Sequence, residues 1–334
     1  MKRVFVSGGF GFLALACILR AQAPVPVAKP RRPIPAVEHV VVIAVDGLRP
    51  DRLLFADAPV LRGLMKTGSY SMWMRTTALA VTLPSFTSML TGVNPRKHGI
   101  DWDREMPLSA PFYSLTPTIF ELASRAGYVT AMAAGKSKFS ALNKPGTIAH
   151  VFLPTVDPAV TIASIGQPAT SPAGLAFAAQ EKVGDDVVIA AALKMIEDFR
   201  PHFMFIHLPS VDTVGHAKGW GSAEQLAQIA QADANVGRVL AALEHAGLRD
   251  STVVIISADH GGAGLTHGPD DPRSRYIPWI VHGPSVRSGF DLTQEATLDL
   301  RTEDTCATAC WLLGLALPAN FDGQPVRVAF NAAE

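Results

Sequence analysis

The sequence predicts an α/β fold, with a mainly parallel central sheet covered by helices on both faces. Three observations lead there. Continuous apolar, β-branched runs recur at residues 40–45, 202–208 and 252–257, as they do in strands buried on both faces. Helical patterns of ten or more residues separate these runs, which is the rhythm of βαβ units. Two of the runs break abruptly into acids or histidine, at Asp46 and at Asp259-His260. In open α/β sheets that end of a strand is where ligands bind.

Taken in order, a strand over 40–45 leads into a helix over 51–65 that stops at Gly68. A strand near 70–76 and a helix near 84–90 follow, then a helix over 118–126 closed by Gly127 and a strand over 128–133. Residues 144–184, rich in Ala, Pro, Gly and Thr, read as an irregular insertion over one edge of the sheet. Beyond it come a helix over 186–199, a strand over 202–208, a long helix over 223–245 closed by Gly247, and a strand over 252–257. A short strand at 278–281 and a helix over 302–313 closed by Gly314 complete the pattern, with no internal repeat.

The first 23 residues have a basic tip, an apolar centre and a small-x-small end, the signature of a secretory signal peptide. Residues 24–37 carry five prolines and read as an extended tether, so one large domain is expected over 38–334. No later stretch is long and apolar enough to span a membrane, which leads to the expectation of a periplasmic or secreted protein with no span in the mature chain. Lys plus Arg total 29 and Asp plus Glu total 29, so no global field attracts nucleic acid, and none is expected as a partner. Cys306 and Cys310 share one helix face and read as buried thiols, because that geometry suits a disulfide poorly.

Polar groups gather at the strand ends. Asp46 follows the first strand. Asp212-Thr-Val-Gly-His216 follows the strand at 202–208, and its (i, i+4) spacing brings a carboxylate and an imidazole to one side of a helical turn. Asp259 and His260 follow the strand at 252–257, with Gly261 and Gly262 permitting a turn and His267 in a glycine-bounded loop beyond. Three carboxylates and three imidazoles suit zinc or a related divalent ion, and six are enough for two ions. A further segment, Ala80 to Gly92, places Thr82 near a helix N-terminus, with Pro84 in the first turn. Free N–H groups there favour an alkoxide or a phosphate; the plain alternative is that Thr82 only caps the helix.

These residues carry a resemblance. Val45-Asp46-Gly47, Thr82-Leu-Pro-Ser85, Thr91 to Ile100, Asp212-x-x-Gly-His216, Ala258-Asp-His-Gly261 and Thr266-His-Gly268 stand in the order found in the alkaline phosphatase superfamily. The set resembles most the nucleotide pyrophosphatase/phosphodiesterase branch. The resemblance implies an alkaline-phosphatase-like fold and two divalent ions, read as zinc. One is held by Asp46, Asp259 and His260 beside Thr82, and the other by Asp212, His216 and His267, with His282 in reserve. It implies a small phosphate ester as substrate, diesters over monoesters, and in-line attack by Thr82 to give a phosphothreonine that water hydrolyses. Ser85 would donate its hydroxyl to a phosphate oxygen. Sulfatases of the superfamily have Cys-x-Pro-x-Arg where this chain has Thr82-Leu-Pro84-Ser85-Phe86, which argues against sulfate esters.

Lys136 and Lys138 follow a strand and are candidates for a phosphate oxygen; Trp102 is a candidate wall of a leaving-group pocket. His98 and His207 lack ligand spacing and read as hydrogen-bonded structural histidines, and Asp233 as packing within its long helix or facing solvent. The competing functions are a phosphomonoesterase on the same site and a catalytically silent metal-binding protein of the same fold.

Overall fold

The computed structural model describes residue 1 and residues 30–104, 112–164, 166–168 and 170–331. The signal-peptide expectation and the first part of the tether fall largely outside these residues. In chain order the principal elements are β1 (His39–Val45), α1 (Pro50–Phe55), α2 (Pro59–Thr67), β2 (Ser69–Arg75), α3 (Thr82–Thr91), α4 (Pro95–His98), α5 (Ile119–Arg125), β3 (Thr130–Ala134), β4 (His150–Phe152), α6 (Pro158–Ser164) and α7 (Pro172–Ala178). They continue with α8 (Asp185–Phe199), β5 (Phe203–Leu208), α9 (Ser210–Lys218), α10 (Ala223–His245), β6 (Thr252–Ser257), β7 (Tyr276–His282), β8 (Phe290–Asp291) and α11 (Glu303–Leu312).

Eight strands form one mixed, mostly parallel sheet in the order β4-β3-β5-β1-β6-β7-β2-β8. From β4 to β6 every neighbouring pair is parallel, and β7 runs antiparallel to both β6 and β2. Val42 on β1 sits opposite Phe205 and Ile255 on its two neighbours. All residues of β1, β5 and β6 are buried, which is why these strands read as unbroken apolar runs rather than alternating ones. Because β1, β3, β5 and β6 are parallel, their carboxyl ends share one edge. That edge receives Asp46, Lys136, Asp212, Asp259 and His260.

Three local differences from the sequence reading have physical causes. The single helix expected over 51–65 is two, because Ala58, ahead of Pro59, leaves the helical region at φ −131° and ψ 66°. Asp233 on α10 then serves α2 as a cap from a distance, accepting the Val60 and Leu61 N–H groups at 3.1 and 2.7 Å. Residues 144–184 are less irregular than expected: they contribute α6, α7 and the edge strand β4, whose three residues pair with Ala131–Ala133. A three-residue strand is too short to leave a periodic signal.

Candidate active site

The edge is built by close approach of backbones. Gly47 has φ +73°, and a Cβ there would lie 3.0 Å from the Asp212 Cα, so glycine lets the end of β1 meet the first turn of α9. Its N–H donates to Asp259 Oδ1 at 3.1 Å, tying β1 to the end of β6. Gly261 and Gly262 are required for space rather than for the turn expected of them. A Cβ at Gly261 would stand 2.2 Å from the Arg273 carbonyl oxygen, and one at Gly262 would stand 2.3 Å from the Trp220 ring. Trp220 donates its Nε1–H to the Gly47 carbonyl at 2.9 Å and so braces the same corner.

Three buried carboxylates face one another here. Asp46 Oδ2 accepts from His207 Nε2 at 2.9 Å and lies 2.7 Å from Lys136 Nζ; Asp212 Oδ2 accepts from Lys136 Nζ at 2.8 Å. Asp46 Oδ1, Asp212 Oδ1 and Asp259 Oδ2 are buried and accept no hydrogen bond among the described residues. Burial, followed by the charges of Asp46 and Asp212, pushes the Asp259 carboxyl well above the usual carboxylate range. Burial and Asp212 act on Asp46 in the same direction, but Lys136 and His207 prevail and hold it below its ordinary value. With all three ionised and Lys136 charged, two negative charges remain uncompensated in a dry pocket, which is costly unless cations join them.

The imidazoles are already arranged as ligands. His216 Nδ1 pairs with the Leu265 carbonyl at 2.9 Å, His260 Nδ1 with that of Gly261 at 2.8 Å, and His267 Nδ1 with that of Ala80 at 2.9 Å. A carbonyl accepts only, so each Nδ1 carries a proton, and in a neutral ring Nε2 is then the nitrogen with the lone pair a metal requires. Burial lowers the His260 pKa to about 4, which keeps the ring neutral. Ala80, whose carbonyl orients His267, has φ +48°, an uncommon conformation for a non-glycine residue.

Ligand atoms of Asp46, Asp259 and His260 lie within 4.8 Å of one another, and so do those of Asp212, His260 and His267. The orphaned oxygens, the excess negative charge and the free Nε2 atoms together fit divalent ions. The first trio matches the sequence expectation. The second differs in drawing His260 into both groups while His216, with a side chain 44% exposed, stands 3.3 Å from Asp212 Oδ1 at its margin. His282 is removed from consideration: it pairs with Val254 near the opposite end of β6 and contacts Arg249.

Thr82 opens α3 and is buried, with Oγ 3.4 Å from His260 Nε2 and 3.5 Å from Lys136 Nζ. It is not the helix cap, since Val81 holds that position and no side chain caps there. The polar residues deeper in this buried helix are satisfied locally: Thr87 and Thr91 donate to carbonyls one turn back, and Ser88 pairs with His98.

The other candidates divide. Lys136 stands between Asp46 and Asp212 rather than on open surface. Lys138 lines the cleft, paired with Asp103 at 2.8 Å. Ser85 is buried a turn below Thr82 and hydrogen-bonded to Thr77 at 2.9 Å, outside the residues lining the cleft. Trp102 packs edge to face on Phe112 at 5.0 Å; its neighbours Asp103 and Arg104 line the cleft instead. His207 is the hydrogen-bonded histidine expected: the Gly135 N–H donates to its Nδ1, leaving Nε2–H to fix Asp46. Asp103, Arg104 and Lys182 were not legible as site residues, for none stands in a ligand spacing. The cleft they line measures about 210 Å³.

Residues 40–272 match the family model of type I phosphodiesterase / nucleotide pyrophosphatase. The chain is 29% identical over 209 residues to human ectonucleotide pyrophosphatase/phosphodiesterase family member 1, covering 61% of this chain and 21% of that protein. It is 30% identical over 118 residues to arylsulfatase K of Danio rerio, covering 32% and 22% of the two chains. The chain therefore spans about a fifth of the length of these curated relatives. Among solved structures, murine ectonucleotide pyrophosphatase/phosphodiesterase 5 superposes with a TM-score of 0.66 at 14% identity, covering 88% of this chain and all of that one. The phosphonate monoester hydrolase of Agrobacterium radiobacter gives 0.62 at 17% identity, covering 89% and 78%. Since the matched region runs through all four strands that deliver the site residues, the chain belongs to the type I phosphodiesterase/nucleotide pyrophosphatase family of the alkaline phosphatase superfamily.

Proposed function

We propose that the protein is an exported, metal-dependent hydrolase of small phosphate esters, with diesters preferred, that works through a phosphothreonine on Thr82. The observation that carries this reading is the convergence, around the Thr82 hydroxyl, of three orphaned carboxylate oxygens and imidazoles whose Nδ1 atoms are held by carbonyls. Asp46, Asp259 and His260 would hold one zinc ion beside Thr82; Asp212 and His267, with His216 at the margin, would hold the other. When bound, two divalent cations supply the charge that lowers a hydroxyl pKa and balances the phosphoryl oxygens.

The chain's own groups do the positioning. Thr82 Oγ gives up its proton to solvent and forms the bond to phosphorus as the ester oxygen opposite departs with its electron pair and takes a proton from water. A water molecule then displaces Thr82, losing one proton to solvent as the Thr82 oxygen regains one. The N-terminal end of α3 favours the negative charge gathered there. Lys136 holds Asp46 and Asp212 in register, and His207 Nε2–H fixes the remaining freedom of Asp46. The basic tip, apolar centre and small-x-small end of residues 1–23 support export. No described helix is long and apolar enough to cross a membrane.

A second reading, a phosphomonoesterase, is favoured by the four cationic side chains lining the cleft, Arg104, Lys136, Lys138 and Lys182. The zinc-supplemented protein separates the two. Faster turnover of bis-p-nitrophenyl phosphate than of p-nitrophenyl phosphate, with p-nitrophenyl sulfate far behind, is the expected result. Preference for the monoester by more than about tenfold would install the second reading, and no turnover of either phosphate ester would remove both.

A further inference from the structure

We propose that Asp103 is a specificity-determining residue that tunes the cleft toward singly charged phosphoryl groups, an inference that rests on the phosphate-ester reading above. Leu83 follows the nucleophile, and its N–H belongs to the first turn of α3, where such groups have no partner within the helix. Asp103 Oδ1, twenty residues on, accepts that N–H at 2.7 Å and also accepts from Lys138 Nζ at 2.8 Å. A phosphoryl group bonded to Thr82 Oγ has non-bridging oxygens within reach of the next residue's amide. The Leu83 N–H and Lys138 are the donors such an oxygen would use, and a carboxylate already holds both.

The repulsion between that carboxylate and a phosphoryl group scales with the substrate's charge, single for a diester and double for an ionised monoester. Water-filled clefts weaken such a term; this one is enclosed enough to retain it, the Lys138 and Asp103 side chains being 12% and 29% exposed. Capping alone does not account for the arrangement. Asp233 caps α2 in the same way from a distance, but among the described residues it pairs with no lysine, and it lies outside the cleft. Asp103 differs in facing the nucleophile and in occupying a cation that the substrate would otherwise use.

The test uses the zinc-supplemented full chain and Asp103→Asn, which keeps an oxygen for the Leu83 N–H and removes only the charge. Titration calorimetry would compare inorganic phosphate at pH 8.5, doubly charged, with dimethyl phosphate, singly charged. The substitution is expected to tighten inorganic phosphate by about tenfold while changing dimethyl phosphate by less than about threefold. It should also raise kcat/KM for p-nitrophenyl phosphate relative to bis-p-nitrophenyl phosphate. Equal changes for both anions, no change for either, or no binding of either anion to either protein would overturn the proposal. If Asp103→Asn does not fold, Asp103→Ser, which keeps a hydroxyl acceptor, carries the same comparison. Wild-type protein that hydrolyses no phosphate ester would sink the phosphate-ester reading alone, because the binding comparison does not depend on turnover.

Discussion

Thr82→Ala should separate catalysis from folding by orders of magnitude. The hydroxyl makes only long contacts, 3.4 Å to His260 Nε2 and 3.5 Å to Lys136 Nζ, and it caps nothing, since Val81 is the N-cap. Losing it therefore removes little hydrogen-bond energy. The buried methyl that leaves with it costs about 1 kcal/mol, which in a domain of this size lowers Tm by about 2 °C. The covalent route, in contrast, is abolished, and kcat should fall on the order of a thousandfold or more with metal content unchanged. Thr82→Ser restores a hydroxyl and should recover substantial activity. Stopped assays with bis-p-nitrophenyl phosphate, elemental analysis and thermal melts measure the three quantities. Acid quenching during turnover, followed by peptide mass spectrometry, should find phosphate on the peptide containing Thr82. If alanine leaves kcat within about tenfold of wild type, or the phosphate is trapped on another residue, the nucleophile assignment is refuted.

The purified protein should carry close to two divalent ions per chain, and a chelator should abolish activity and lower Tm, because the uncompensated carboxylates repel one another without them; full activity in metal-free protein would exclude this. Asp46→Ala and Asp259→Ala should empty the ion position beside Thr82, and His267→Ala the other, while His282→Ala should leave the metal content intact; anomalous scattering from each variant distinguishes them. His98 supplies a pH test away from these ligands. It is fully buried, its Nδ1 accepts the Ile100 N–H, and burial lowers its pKa from 6.5 to about 4. Between those values the unfolded chain binds a proton that the folded one refuses, so stability falls as pH falls through that window, by about 3 kcal/mol in full. Denaturant melts of His98→Gln beside wild type should show the loss of that slope, and parallel slopes would contradict it.

Much of the fold was legible because the physics that sets it is local. Strands buried on both faces must be apolar throughout, and residues 40–45, 202–208 and 252–257 say so directly. The candidate ligands Asp46, Asp259 and His260 were legible for the converse reason: a polar break after such a run is conspicuous. Features fixed by neighbours distant in sequence left no such trace. The antiparallel direction of β7 depends on which strands it meets, and the contact of Asp103 with the Leu83 N–H spans twenty residues of unremarkable spacing. His207 carried no signal because its role, one hydrogen bond to Asp46 Oδ2, belongs to the second layer around the site. Trp102 and Ser85 misled because position after a motif does not fix direction: Trp102 turns to Phe112, and Ser85 lies a turn below Thr82 and pairs with Thr77.

Placing three carboxylates in one dry pocket opposes folding, and the surroundings explain how the chain tolerates it. Asp46 directly follows β1 and Asp259 stands two residues beyond β6, strands buried throughout, so the stability lost at their tips is set against a fully packed part of the sheet. Asp212 opens a helix, where the dipole favours its charge. Lys136 then links Asp46 to Asp212 directly, which keeps the two carboxylates from separating when no ion is present. Asp259 has no lysine of this kind; among the described residues its carboxylate accepts one hydrogen bond, from the Gly47 amide, and burial raises its pKa well above the ordinary range. The group most dependent on an added cation is thus the one in the trio beside Thr82, the proposed nucleophile, where positive charge would have the greatest chemical effect.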